Sequence, residues 1–404
     1  MTITDLIISL DALPSLLAAC IVLLLGTWLC QRVGFLARYS IPSPVVGGLL
    51  FAVAAGLLVK FANIRILMIN EVKADLLLIF FASLGLTSDL KLLVRGGRRL
   101  LRFLLALIPF LVMQDALGVL IASLLGLHPF LGLVAGSITL VGGHGTGAAY
   151  VDKFGAAVSV PGLMGLTMTS ATLGLLLGGI VGGPVAERLI RRHRLNPLPD
   201  AEDSDVITGP TTTPVSSVSL IRSLTAALVA VLAGVGVGKL LAGAPVTVPD
   251  FLLCLLAGLA LRNLGGLIGL ELHDASSDLL GSVSLSLFLA WTMMALDLAQ
   301  VLGAAGPLLV ILAGQVALVA LWASLVTFQI VGRDYESAVM SAAFCGFAMG
   351  ATATAIANMQ ALARRHGPAP QAFLIVPIVG AFFIDILNAI VLTVFLSLGF
   401  MGLK

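Results

Sequence analysis

Hydrophobic positions in this chain run for about 20 residues at a time, the length a helix needs to cross the hydrocarbon core of a bilayer. In the first half such runs fall at roughly 14–30, 42–60, 74–88, 103–126 and 161–186. In the second they fall at roughly 220–243, 249–265, 279–296, 305–331 and 371–397. The pattern predicts ten transmembrane helices, five in each half, and an all-α integral membrane protein. Two further apolar stretches, 130–150 and 335–360, are interrupted by Gly, Ser, Thr and Asn. They read as re-entrant hairpins, within loops 130–155 and 335–362.

The halves are separated by a polar stretch, basic at Arg188, Arg191, Arg192 and Arg194, then acidic and rich in Pro, Ser and Thr. The chain therefore divides into an N-terminal repeat (1–187), a linker (188–219) and a C-terminal repeat (220–404). Composition agrees with lipid as the solvent. Hydrophobic residues make up 59% and charged residues 10% of the 404, where soluble domains carry about 25% charged. A net charge of +2 leaves no nucleic-acid footprint. The four cysteines (Cys20, Cys30, Cys254, Cys345) are scattered, most of them inside apolar runs, and read as small buried thiols rather than a disulfide framework. No basic n-region or small-residue cleavage site precedes the first run, so it reads as a mature helix.

Charge sets the orientation. With both termini outside, 16 of the 22 basic residues fall in inside loops, among them Arg98, Arg99, Arg192 and Arg364. The outside keeps six: Lys60, Arg65, Lys73, Lys153, Lys239 and Lys404. This positive-inside asymmetry predicts outward termini and an inward linker, and turning either interrupted stretch into a full crossing spoils it.

The halves also repeat one another. A Pro-led helix opens the second segment of each (Pro42, Pro44; Pro249), a glutamine sits centrally in the fourth (Gln114; Gln315), and a glycine-rich stretch follows (Gly142 to Ala148; Gly346 to Thr352). Partners lie about 200 residues apart. Five crossings per half is an odd number, so the second copy is inserted upside down.

Irregular backbone at membrane depth survives only where protein, water or a ligand satisfies its polar groups. Freed amides at half-helix N-termini suit carboxylates, and freed carbonyls suit Na⁺. Two opposed tips meeting near mid-bilayer would make a site for an anionic solute with a coupling cation. Gly142, Gly143, His144, Gly145 and Thr146 form the first tip, Gly346 and Phe347 open the second. The glycine density of the first is expected to break the helix there. Gly26, Gly118, Gly174, Gly178 and Gly182 read instead as packing glycines. Ser137 and Thr139 precede the first tip; Thr352, Thr354 and Asn358 follow the second, either lining a site or bonding helix to helix. His144 more simply hydrogen-bonds than senses protons. Asp385 and Asn388, one turn apart in the last run, share a face. A mid-membrane carboxylate is expensive, so Asp385 is expected to ligate a cation or pair an ammonium group.

The run Ser137-Ile138-Thr139-Leu140-Val141-Gly142-Gly143-His144-Gly145-Thr146-Gly147-Ala148-Ala149 resembles the first re-entrant motif of bacterial sodium/glutamate symporters. Thr354 to Gln360, Val379 to Ile386, Ser284 to Ala290 and Ile41 to Leu49 resemble other motifs of that family. The resemblance covers nearly the whole chain outside the linker. It implies Na⁺-coupled glutamate uptake across the bacterial inner membrane, with Na⁺ as coupling ion, no organic cofactor, a homodimer, and an elevator-type motion. Three positions depart from the expected pattern: Ala348 stands for a glycine, Ala353 for a proline and Asp115 for an asparagine.

A carrier of another small carboxylate is the alternative closest to this reading. A channel would want a continuous polar pore, and the polar features here gather around two opposed breaks. An enzyme would want a nucleophile or metal-ligand motif; five histidines form no H-x-x-x-H pair.

Overall fold

Each long apolar run becomes a helix because a chain in lipid must satisfy its backbone polar groups internally. The computed structural model describes residues 6–34, 42–68, 71–90, 92–158, 160–197, 214–241, 249–265, 272–295, 305–350 and 352–399. The middle of the expected linker lies outside them. In the first half the helices are α1 (Ala12–Arg32), α2 (Ser43–Ala62), α3 (Glu71–Leu86), α4 (Leu92–Leu124), α5 (Pro129–Leu133), α6 (Gly143–Val158) and α7 (Leu163–His193). In the second they are α8 (Ser217–Leu240), α9 (Asp250–Leu264), α10 (Asp274–Met294), α11 (Ala305–Trp322), α12 (Phe328–Val331), α13 (Tyr335–Met349), α14 (Thr352–His366), α15 (Pro370–Ile378) and α16 (Ile384–Ser397). Single π-helical turns join α5 to the first tip (Val134–Ile138), α11 to α12 (Ala323–Thr327) and α15 to α16 (Val379–Phe383). Among the described residues, seven helices are long and apolar enough to cross a membrane.

One short extended element accompanies the helices. Leu6–Leu10 and Ile64–Met68 pair as a parallel two-stranded ribbon, Leu6 opposite Ile64. Both segments are rich in Ile and Leu, and Asn63, in the left-handed region at φ 54°, ends α2 just before the second.

Proline leads the second long helix of each half, with Pro42 capping α2 and Pro249 capping α9. Proline suits a helix start, where the missing N–H would lack a partner anyway. One difference from expectation concerns the first tip. The turn is short: it takes Val141 and Gly142 and ends at Gly143, whose φ of +68° is left-handed, so that α6 continues as regular helix from His144 onward. Gly145 and Gly147 lie inside the helix because neighbours leave no room for a side chain. A Cβ on Gly147 would come 2.8 Å from Thr167 Cγ2, and one on Gly145 2.8 Å from Leu285 Cδ1. Gly174 and Gly178 likewise pack against Met349, as packing glycines do.

The helices pack as two groups. The first contains α1, α2 and α3 from one half with α8, α9 and α10 from the other. The second contains α4 to α7 with α11 to α16. The groups meet where α6 lies on α10. There Tyr150 of α6 stacks edge-on to Phe251 of α9 at 5.1 Å, and Lys73 of α3 pairs with Asp152 of α6 at 2.8 Å.

Candidate site between the helical hairpins

The two glycine-rich turns meet. Gly143 adopts φ +68°, a conformation glycine reaches without a Cβ penalty. A Cβ placed there would lie 4.0 Å from the Gly350 carbonyl oxygen, at the turn between α13 and α14. A cavity of about 610 Å³ opens beside this contact, between the two helical groups. The second group lines it with Gly142, Gly143, His144, Gly145, Leu175 and Gly350. The first group contributes Leu23, Leu24 and Thr27 of α1 and Pro42, Ser43 and Pro44 at the start of α2. Phe80 of α3 and Leu285, Ser286 and Leu289 of α10 complete the wall.

Two helices, α2 and α6, begin at this cavity, and α14 begins two residues after Gly350. Amides in a helix's first turn have no intrahelical acceptor and carry the positive end of its dipole. Among the described lining residues, His144 is the one titratable side chain. The wall thus offers backbone amides and hydroxyls to an anion. His144 itself is 6% exposed, with Nε2 3.0 Å from Thr172 Oγ1. The Thr172 hydroxyl donates to the Met168 carbonyl at 2.9 Å, so the histidine nitrogen is assigned as the donor.

The remaining expected residues fall into two places. Behind the first tip, Asn388 Nδ2 donates to the Ser137 carbonyl at 3.1 Å, while Ser137 N and Oγ donate to Asp115 Oδ1 and Oδ2, both at 2.9 Å. Thr139 Oγ1 donates to the Val134 carbonyl at 2.7 Å and sits 2.8 Å from Ser170 Oγ. Asp385 is half-buried one turn before Asn388 and does not line the cavity. Thr146 is buried in the first turn of α6.

The others hold the second hairpin together. Gly346 packs on its opposite arm, where a Cβ would meet Ala355 N at 2.5 Å. Phe347 is buried against Phe103, ring centroids 6.3 Å apart. Asn358 Nδ2 donates to the carbonyls of Gly178 (3.0 Å) and Ala342 (3.1 Å). Thr352 Oγ1 donates to the Gly380 carbonyl at 3.0 Å, in the π turn of the last helix, and Thr354 is buried nearby on α14. At the foot of this hairpin Asp334 caps α13, accepting from Ser337 N (2.9 Å) and Oγ (2.6 Å), and pairs with Arg99. Burial pushes its carboxyl up, but Ser337 and the guanidinium outweigh that and hold it below the usual carboxylate range.

Sequence reasoning did not single out Ser43, Ser286 or Gly350 as cavity residues, though both serines lie inside the family-like motifs. Asp115 stands out in the sequence only as a departure from the family-like pattern, whereas the carboxylate anchors the first hairpin.

The seven membrane-length apolar helices among the described residues mark a multi-pass membrane protein. The chain belongs to the sodium/glutamate symporter family, whose pattern it matches over residues 8–368. It is 44% identical over 394 residues to the sodium/glutamate symporter of Escherichia coli (strain K12), covering 96% of this chain and 98% of that protein. The same figures hold for the sodium/glutamate symporter of Shigella flexneri. The sodium/glutamate symporter of Haemophilus influenzae (strain ATCC 51907 / DSM 11121 / KW20 / Rd) is 40% identical over 388 residues, 94% of this chain and 96% of that protein. Symporters are transporters, and the enzymatic alternative falls away.

Proposed function

We propose that this chain couples Na⁺ entry to glutamate uptake across the bacterial inner membrane by alternating access. The observation that carries the proposal is the contact of the Gly143 and Gly350 turns beside a cavity lying between two helical groups. Each group draws corresponding helices from both halves of the chain, as two copies of opposite orientation would arrange. The first group is the fixed, dimer-forming frame. The second, carrying both hairpins, moves against it as an elevator. Both termini are periplasmic, residues 188–219 are cytoplasmic, and the hairpins are re-entrant from opposite sides.

In this account the helix starts at Ser43 and Gly143 receive the substrate's carboxylates through their amides. Asp385 ligates the coupling Na⁺ together with backbone carbonyls of the first hairpin. Glutamate carries a net charge of −1, so one Na⁺ gives a cycle blind to voltage; each further cation adds about 2.3 kcal/mol of drive per 100 mV.

One observation favours a second reading. Among the described lining residues no carboxylate stands ready for a substrate ammonium group, which suits a small carboxylate without an amine. Counterflow of radiolabelled glutamate in proteoliposomes, with and without Na⁺, tests both. Na⁺-dependent exchange competed by glutamate and not by succinate supports the proposal. Exchange competed better by succinate favours the alternative, and Na⁺-independent flux overturns the coupling.

A further inference from the structure

We propose that Asp115 and the unwound turn at Gly136 hold a second Na⁺, besides the one assigned to Asp385; the proposal rests on the Na⁺-coupled reading above. Asp115 lies fully buried within the membrane-length stretch Gly97–Leu124. A carboxylate there is costly unless something compensates its charge. Its oxygens accept from Ser137, and among the described residues no Lys, Arg or His pairs with it.

The surroundings are rich in acceptors. Gly136 leaves the helical conformation (φ −102°, ψ −136°), and a Cβ on it would lie 2.9 Å from Asp115 Oδ1 and 3.6 Å from the Gln114 carbonyl. The carboxylate therefore sits directly against opened backbone. Besides the buried, unpartnered Tyr150 hydroxyl, which lies within reach of the Asp115 charge, three side-chain amide oxygens here are buried with no hydrogen-bond partner: Asn388 Oδ1, Gln114 Oε1 and Gln315 Oε1. Each is tied to the spot through its own amide or by adjacency. Asn388 Nδ2 holds the Ser137 carbonyl, Gln315 Nε2 holds the Gln114 carbonyl, and Gln114 precedes Asp115.

Native interiors rarely leave buried oxygens without a donor, and a missing ion is one of the few physical explanations. Carboxylate and carbonyl oxygens are ligands for hard cations. One carboxylate compensates one charge, which selects a monovalent ion. The ligands come from α4, the first hairpin and α16, so binding draws the hairpin whose tip faces the cavity onto its neighbours. Two Na⁺ with one glutamate anion would make the cycle electrogenic.

Equilibrium ²²Na⁺ binding to the purified full-length protein tests this without any substrate. Wild type is expected to bind one more Na⁺ per chain than Asp115→Asn, whose amide oxygen can still accept from Ser137. Asn388→Leu keeps the carboxylate and removes one oxygen, and should weaken that Na⁺ by about 10-fold or more, the range for losing a supporting ligand. In proteoliposomes an inside-negative potential should accelerate wild-type uptake and leave Asp115→Asn indifferent. Equal Na⁺ stoichiometry in wild type and Asp115→Asn overturns the site, whether or not Asp115 exchanges a proton instead. Should Asp115→Asn fail to fold, unchanged Na⁺ affinity in Asn388→Leu overturns it as well. Failure of glutamate counterflow with the one-ion difference intact would contradict the substrate assignment alone, and no Na⁺ bound by wild type would contradict the coupling reading itself.

Discussion

Gln315 donates its side-chain Nε2–H to the backbone oxygen of Gln114 at 2.9 Å, across 201 positions of sequence. These are the central glutamines of α11 and α4, and their bond joins the two halves at the middle of the second helical group. Gln114 passes the connection on, its own Nε2 donating to the Ala348 carbonyl at 2.8 Å. Ala348 lies in the last turn of α13, where carbonyls have no intrahelical donor. The next residue, Asp115, holds the first hairpin through Ser137. Two adjacent residues of one helix thus carry both hairpins.

Gln114→Leu should leave the buried Ala348 carbonyl without a donor, at about 1–3 kcal/mol. Thermal unfolding of the detergent-solubilised protein should report a lowered Tm. An unchanged Tm would remove Gln114 as the anchor of the second hairpin.

Gly143→Ala places a side chain in the left-handed region at the tip, at a cost of about 1–2 kcal/mol, equivalent to roughly 5- to 30-fold. Initial uptake should fall by that factor. Gly56→Ala, on α2 with nothing within 4 Å, serves as control and should transport normally. Equal rates in the two variants would argue against a constrained tip.

The Lys73–Asp152 pair bridges the two groups, with side chains 14% and 44% exposed. Such a pair contributes about 0.2–1 kcal/mol, enough to bias two arrangements by at most about fivefold. Lys73→Met and Asp152→Asn should each shift the balance between arrangements in the same direction, and the double variant should add little. Additive effects would mean that the two side chains act independently.

Asp334 predicts a pH effect with a definite sign. Its carboxyl is held low in the folded protein, so the stability it contributes is complete above the unfolded carboxylate pKa of about 3.9 and is lost as pH falls through the folded value. Because the side chain is 41% exposed, the contribution stays under about 1 kcal/mol. Asp334→Asn should lose part of the decline in Tm that wild type shows below pH 4. An identical decline in both would assign acid sensitivity elsewhere.

Much of this architecture could be read from the sequence because lipid imposes long apolar runs and leaves few alternatives. Pro42 and Pro249, Gln114 and Gln315, and the glycine-rich turns all stood out by chemistry and spacing. The extent of the first turn did not, since glycine serves both a bend (Gly143) and close packing (Gly145, Gly147), and only the neighbours Leu285 and Thr167 separate the two uses. Asp115 was illegible for a related reason. A carboxylate on an apolar helix has no local signature of its partner, and Ser137 lies 22 positions away. The ribbon of Leu6–Leu10 with Ile64–Met68 escaped notice because each strand is only five residues long, beside stronger helical signals.

The central claim is that the hairpin-bearing group moves against a fixed frame while the cavity between them changes sides. Spin labels at Leu57 on α2 and Ala157 on α6, both exposed, measure that motion across the groups. Labels at Leu57 and Leu232, both within the first group, supply the reference distance. With Cys20, Cys30, Cys254 and Cys345 replaced and counterflow retained, the Leu57–Ala157 distance should differ between Na⁺- and glutamate-loaded and ion-free protein. The Leu57–Leu232 distance should stay constant. A Leu57–Ala157 distance that stays fixed while the protein still turns over would contradict the account and leave local opening of the Gly143 and Gly350 turns in its place.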